Sequence, residues 1–240
     1  MSDISLPEAL CRDRRTLEAV RLLINGSWIR VVNYHNTRAA DARKFEKEMA
    51  FFARNFVPVT TDDLDRFFDT REWPYDRPGL IPAVFEGWRT HFDVFAPILE
   101  KYGFRGWFYI PAFFPDVPVE NQIPYCKPHS LRLFAQADYS DPRCCMNWNE
   151  IRALAEKHEI CCHTGSHCSV TDEMSEEQIR REIEESKRHL EEKTGKEVSV
   201  FCWCGGDDWQ GSEHFHKFLT GAGYRFLVSN LKLERIGRKQ

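Results

Sequence analysis

Glu159-Ile-Cys-Cys-His-Thr-Gly-Ser-His167 reads as a short apolar strand running directly into two histidines four residues apart. Imidazoles at that spacing on a strand end, rather than on a solvated helix, can share one divalent metal ion. A metal implies a reaction class, because it lowers the pKa of a bound water and makes it a nucleophile near neutral pH. The plain alternative is a pair of histidines serving local structure alone. A third candidate ligand favours the metal: Glu86, in Val84-Phe85-Glu86-Gly87-Trp88, also ends an apolar strand.

Outward from this stretch, strand-like and helix-like segments alternate. Residues 28–34, 80–85, 106–110, 160–162, 198–204 and 224–229 read as strands, with 57–59 a short extended piece. Phe45, Met49, Phe52 and Phe56 recur at helical spacing and predict a helix over 42–55. Thr60 or Thr61 can cap the next helix, with Asp62 and Asp63 favourably placed in its first turn. Residues 93–102 are amphipathic and stop at Gly103, and residues 148–158 are helical. Ser175-Glu-Glu-Gln178 is a capping box that opens a helix carrying Ile179, Ile183 and Leu190 on one face and ending at Gly195. A last helix is expected over 214–220. Residues 112–146 break the rhythm with Pro115, Pro118, Pro124, Pro128 and Pro142, and are expected to form a long loop excursion over a site.

Such alternation predicts an α/β fold with a mostly parallel sheet, whose right-handed crossovers carry every strand C-terminus to one face. His35, Glu86, His163 and the turn Gly205-Gly-Asp-Asp-Trp209 all fall at those ends, where βα barrels build their active sites. About seven strands favour a closed or nearly closed barrel over an open Rossmann sheet. No G-x-G-x-x-G or P-loop follows a strand, which argues against a nucleotide site. One domain over 1–240 is expected, with its core at about 28–236.

Composition narrows the function classes. The chain has 240 residues, 33 Lys and Arg against 37 Asp and Glu, and a net charge of -4, so it lacks the basic footprint of a nucleic-acid binder. No apolar run reaches the roughly 18 residues of a membrane span. Met1-Ser-Asp-Ile-Ser-Leu-Pro-Glu8 has neither the basic nor the apolar part of a signal peptide, so the expected location is cytoplasmic. Nine cysteines without zinc-finger spacing are expected to be mostly small buried residues. Cys162 and Cys168 beside the histidine pair, and the Cys202/Cys204 pair, are the exceptions that could tune a metal site or oxidise near it.

Taken together, these motifs resemble the polysaccharide deacetylase family (NodB-homology, carbohydrate esterase family four) over about residues 31–236. Val32-Asn-Tyr-His35 resembles the family's Tyr-His opening. Ala83-Val-Phe-Glu-Gly-Trp88 sits where the family reads Thr-Phe-Asp-Asp-Gly-Tyr. Pro97-Ile-Leu-Glu-Lys-Tyr-Gly-Phe104, Trp107-Phe-Tyr109 and Trp148-Asn-Glu-Ile-Arg-Ala-Leu154 are similar to its later segments, and His163-Thr-Gly-Ser-His167 to its His-Thr-x-Ser/Thr-His motif.

The resemblance implies a distorted (β/α)7-type barrel and a divalent metal, commonly zinc, held by the second Asp and the two histidines. Carried over, the ligands are Glu86, His163 and His167. The reaction implied is hydrolysis of an N-acyl amide on a carbohydrate or small molecule. The family's base is the first Asp, and Phe85 stands there, which cannot take a proton. The late Arg/Tyr-Pro-Tyr-Gly turn reads Trp203-Cys-Gly-Gly206, and no histidine follows Tyr224 to match the family's late general acid.

Three readings stay open. One is a divergent metal-dependent deacetylase or amidohydrolase with a relocated base: Asp207, Asp208 or His35, and after them His91. Another is a degenerate relative that keeps the metal or cleft and binds a ligand without hydrolysis. The last is a structural histidine pair with no metal. Trp88, Trp203 and Trp209 are candidate substrate-stacking residues, and His129 reads as incidental.

Overall fold

The computed structural model describes residues 29–35, 37–132, 138–207, 210–230 and 232–236. Its strands are β1 (Ile29–Tyr34), β2 (Val57–Pro58), β3 (Gly79–Phe85), β4 (Trp107–Ile110), β5 (Glu159–Cys162), β6 (Val200–Phe201), β7 (Phe226–Val228) and β8 (Leu233–Arg235). Helices α1 (Ala42–Asn55), α2 (Thr61–Thr70), α3 (Ala96–Lys101), α4 (Val119–Cys126), α5 (Trp148–Ala155), α6 (Glu176–Arg180), α7 (Ser186–Thr194) and α8 (His216–Ala222) fill the connections. The strands hydrogen-bond in the order β1-β3-β4-β5-β6-β7-β8, with β2 pairing β3. All pairs are parallel except β7–β8. The result is a curled, barrel-like mixed sheet rather than a fully closed ring, since among the described residues no ladder joins β8 to β1.

The strands alternate between two buried surfaces. Ile81, Ala83, Phe85, Trp107, Tyr109, Cys161, Val200, Cys202, Phe226 and Val228 share the inner cluster of the curled sheet. Leu80, Val84, Phe108, Ile110, Ile160, Cys162, Phe201 and Leu227 face a second cluster that includes Phe45, Met49, Ile151, Ile183, Leu190 and Leu219 from the helices. A strand buried on both faces has no polar side to present, which is why β3 and β4 read as unbroken apolar runs. The caps expected at Thr60, Ser175 and Gly195 form, and Asn147 adds one the sequence reading did not name. Thr60 with Asp63, Asn147 with Glu150 and Ser175 with Gln178 all form capping boxes, and Gly195 ends α7 at φ 70°.

Two differences from the sequence reading have clear causes. Residues 112–146, expected as a loop, contain a short 3-10 helix (Phe114–Asp116) and α4, which accommodates Pro124. The segment packs its own cluster, with Trp88, Phe114, Cys126, Leu131, Cys144 and Cys145 buried together. β8 has only three residues, two of them charged, so it carries no periodic signal. It forms because Ser229 and Lys232 close a tight turn (N to O 2.9 Å). Arg235 then pairs with Asp65 (3.0 Å) and Asp69 (2.6 Å) of α2.

His158 gives a test of this core. It is 3% exposed, and its Nδ1 accepts the Gly106 N–H at 3.0 Å. Burial pushes its pKa down to about 4, against an ordinary 6.5. Below pH 6.5 the unfolded chain therefore binds a proton that the folded chain refuses, so this imidazole makes stability fall with pH until about 4. Relative to His158→Asn, which keeps an acceptor but cannot titrate, wild type is expected to lose up to about 1.4 kcal/mol per pH unit in that window. Urea unfolding of both proteins at pH 7 and pH 4.5 checks this. Equal pH dependence would contradict it.

Candidate active site

At the C-terminal mouth of the curled sheet lies a cleft of about 220 Å³, lined among others by Asn33, His35, Phe85, Glu86, His163 and His167. The strand alternation places them. Phe85 and Cys161 face inward, so His163, two residues beyond Cys161, emerges at the rim of the same inner face. His163-Thr-Gly-Ser-His167 continues past β5 in close apposition to the chain leaving β4: Ala112 N–H donates to Thr164 O (3.1 Å) and Phe113 N–H to Gly165 O (2.8 Å). A side chain at Gly165 would meet Phe113 at 2.3 Å, so only glycine allows this approach. Thr164 and His167 both take left-handed backbone, at φ 60°. For residues with a Cβ such conformations persist only where the surroundings hold them.

A buried carboxylate does much of that holding. Glu182, 5% exposed on the π turn between α6 and α7, accepts the Gly165 N–H (2.8 Å), the Ser166 N–H (2.7 Å) and the Ser166 hydroxyl (2.9 Å). The sequence reading missed it. Its signal was a glutamate four before Ser186 and next to Ile183 on a helix otherwise read for its apolar face. Glu182→Ala is expected to weaken metal binding about 10- to 100-fold by freeing the loop, as loss of outer-shell support does elsewhere. Zinc titration of wild type and variant measures this, and unchanged affinity would remove Glu182 from the site.

Both imidazoles are oriented the same way. His163 Nδ1 donates to Cys202 O (2.9 Å), and His167 Nδ1 to His129 O (2.6 Å). Each Nε2 is left with its lone pair, the form a metal ligand needs. Burial pushes His163 down to about 3 and also lowers His167, so both stay neutral at physiological pH. His129 is therefore not incidental. Its carbonyl aims His167, and its ring stacks on Tyr125 at 3.8 Å. The segment 112–146 thus contributes to the site from within the structure.

Glu86 lies in the cleft at φ 83°, 6% exposed. Its Oε2 accepts the Trp88 indole N–H at 2.6 Å. Burial pushes its pKa up to about 7, against the opposing pull of the Trp88 hydrogen bond and the Arg132 charge. Among the described residues, the three donors within 4.8 Å of one another are His163, His167 and Cys204, a set without Glu86. Burial pushes the Cys204 thiol up to about 12.

Phe85 stands between two rings, stacked on Tyr109 (4.5 Å) and on His35 (4.7 Å), with its edge 5.1 Å from His163. It fills the family's base position with packing. Of the expected replacement bases, His35 lines the cleft, and burial lowers its pKa. Asp207 is exposed and is not among the cleft residues, and Asp208 lies outside the described residues. His91 is fully buried behind the site, pushed down to about 3 by burial.

The aromatic expectations also need correction. Trp88 is 1% exposed and packs its ring against Phe114 while holding Glu86, so it cannot stack on a substrate. Trp203 reaches the cleft wall but is 4% exposed, edge-on to Phe201 at 4.6 Å. Trp209 lies outside the described residues.

The arrangement suits a metal. Two neutral imidazoles whose Nε2 atoms keep their lone pairs, with a sulfur beside them, form a donor set that a divalent metal ion fits. Comparison with known proteins agrees with the fold. The family model described as polysaccharide deacetylase matches residues 85–227, more than half of the 240-residue chain. No curated protein matches in sequence. Among solved structures, the Streptococcus pyogenes deacetylase PplD in complex with acetate superposes with TM-score 0.63 at 11% identity, covering 88% of this chain and 91% of that one. A de-N-acetylase from Aggregatibacter actinomycetemcomitans gives 0.60 at 14% identity, covering 88% and 90%. IcaB from Ammonifex degensii gives 0.59 at 14%, covering 85% and 84%. At these identities the likeness is one of fold.

Proposed function

The chain belongs to the polysaccharide deacetylase family, and from that premise we propose that it is a metal-dependent deacetylase of an N-acylated carbohydrate or a small amide of similar size. The observation that carries this is the pair His163 and His167 in the cleft, each with Nδ1 tied to a backbone carbonyl so that Nε2 keeps the lone pair. When bound, the metal would polarise the acyl carbonyl and lower the pKa of the attacking water.

The chain's own residues supply the rest. Glu86 takes the role that Phe85 cannot. Its carboxyl lies in the cleft, one oxygen is fixed by Trp88, and burial makes it more basic than an ordinary carboxylate, which suits a general base. It accepts the proton of the attacking water. Asn33 lines the same cleft and offers its side-chain amide to a sugar hydroxyl. A volume of about 220 Å³ corresponds to about seven waters, room for an acetamido group and one sugar ring.

A second reading rests on Phe85 itself. Its stacking between Tyr109 and His35 leaves no carboxylate at the family's base position, which suits a relative that binds without turnover.

One experiment separates the two. Acetate release is measured from N-acetylglucosamine oligomers and simple N-acetyl amides, with and without dipicolinate, and with zinc added back. Chelator-sensitive release that zinc restores supports the deacetylase. Binding of an acetylated oligomer with no release from any substrate supports the second reading and overturns the first.

A further inference from the structure

The geometry points to a rewired metal centre in which His163, His167 and the thiolate of Cys204 hold the ion, in place of the carboxylate ligand of the family pattern. This inference rests on the metal-dependent reading above and assigns its third ligand.

Four observations carry it. First, the donor atoms of His163, His167 and Cys204 all lie within 4.8 Å of one another, and Cys204 Sγ is 3.9 Å from His163 Nε2. In a tetrahedral zinc site with Zn–N about 2.0–2.1 Å and Zn–S about 2.3 Å, a nitrogen and a sulfur ligand stand about 3.5 Å apart. A closure of a few tenths of an ångström brings the pair to bonding geometry. Second, the sulfur approaches Nε2, the nitrogen left free once Nδ1 has donated to Cys202 O.

Third, Cys204 is anchored. It follows β6 into a turn closed by Gly206 N–H to Trp203 O (2.9 Å). Asn230 fastens that turn by donating from Nδ2 to Gly205 O (2.8 Å) and from its backbone N–H to Gly206 O (3.0 Å). Gly205 at φ 104° and Gly206 at φ 76° make the turn possible, and a side chain at Gly206 would meet Asn230 at 2.3 Å. The fully buried Thr164 places its hydroxyl 3.6 Å from the sulfur, an outer-shell contact of the kind that orients ligands. Fourth, one oxygen of Glu86 is already engaged by the Trp88 indole at 2.6 Å, and Glu86 is not in the cluster of donors that lie within 4.8 Å of one another.

The exchange conserves charge. A thiolate carries the single negative charge that the carboxylate would have carried, and the Cys204 proton leaves to solvent as the sulfur–metal bond forms. It also divides labour. One acidic group binds the metal and a different one, Glu86, is free to move protons. A sulfur ligand favours zinc over magnesium or manganese.

Cobalt(II) titration of chelator-stripped full-length protein tests the assignment, since thiolate ligation of cobalt produces a charge-transfer band in the near ultraviolet. One equivalent of cobalt with that band is expected. Cys204→Ser should remove the band and weaken binding at least about tenfold, while Cys168→Ser should keep both. One equivalent bound without the band, or a band that survives Cys204→Ser, overturns the thiolate ligand and leaves the deacetylase reading standing. No cobalt or zinc bound by wild type overturns both.

Discussion

His163→Ala is expected to empty the metal site and to lower acetate release by at least about 10³-fold, since the ion's Lewis-acid contribution is worth several kcal/mol in such hydrolyses. His163 is 5% exposed, contacts Phe85 edge-on and spends its Nδ1 on Cys202. Truncation therefore also removes packing, at about 1–3 kcal/mol of stability. Metal analysis of the purified variant, with its circular dichroism and acetate release, separates the two effects. A folded variant that retains a full equivalent of metal would show that this histidine is structural.

Glu86→Gln carries the second large effect. The amide keeps the shape and can still meet Trp88, but it cannot accept a proton. Loss of a positioned base costs about 10²- to 10⁴-fold in kcat/KM. The pH profile supplies the sign. Only the ionised carboxylate is a base, so wild-type activity should rise with pH along an acid limb set by Glu86, whose pKa burial raises and a bound metal would lower. In Glu86→Gln that acid limb should disappear while metal content stays at one equivalent. Loss of the metal in this variant would instead return Glu86 to the ligand set and release Cys204 from it.

Both predictions turn on residues the sequence made visible to different degrees. His163 and His167 were legible because a strand-end histidine pair needs only local spacing to be recognised. Glu86 was legible as part of the site for the same reason, at the end of β3. Its role was not. Whether a carboxylate binds a metal or moves a proton depends on where its oxygens point, and one oxygen of Glu86 is engaged by Trp88 two residues on. Cys204 stood out in sequence only as half of a Cys-x-Cys pair. Its place beside His163, 41 residues away in the chain, arises from the pairing of β5 with β6.

Glu182 and His129 were hidden for a related reason. One acts through a helix that crosses the back of the histidine loop, the other through a carbonyl, which no side-chain pattern records. Asp207 and Trp88 show the converse error. Each lies near a strand end and carries suitable chemistry, but Asp207 is exposed outside the cleft and the Trp88 indole is packed inside.

The sequence by itself determined the α/β alternation, the mostly parallel sheet and the strand-end location of the histidines, because hydrophobic period and helix caps are local properties of the chain. Only the tertiary structure decided that the sheet curls without closing, that Phe85 is walled in by Tyr109 and His35, and that Cys204 comes close to both imidazoles. Those outcomes depend on which distant strand ends meet and on the direction each side chain takes there, and both are set by the packing of the whole sheet.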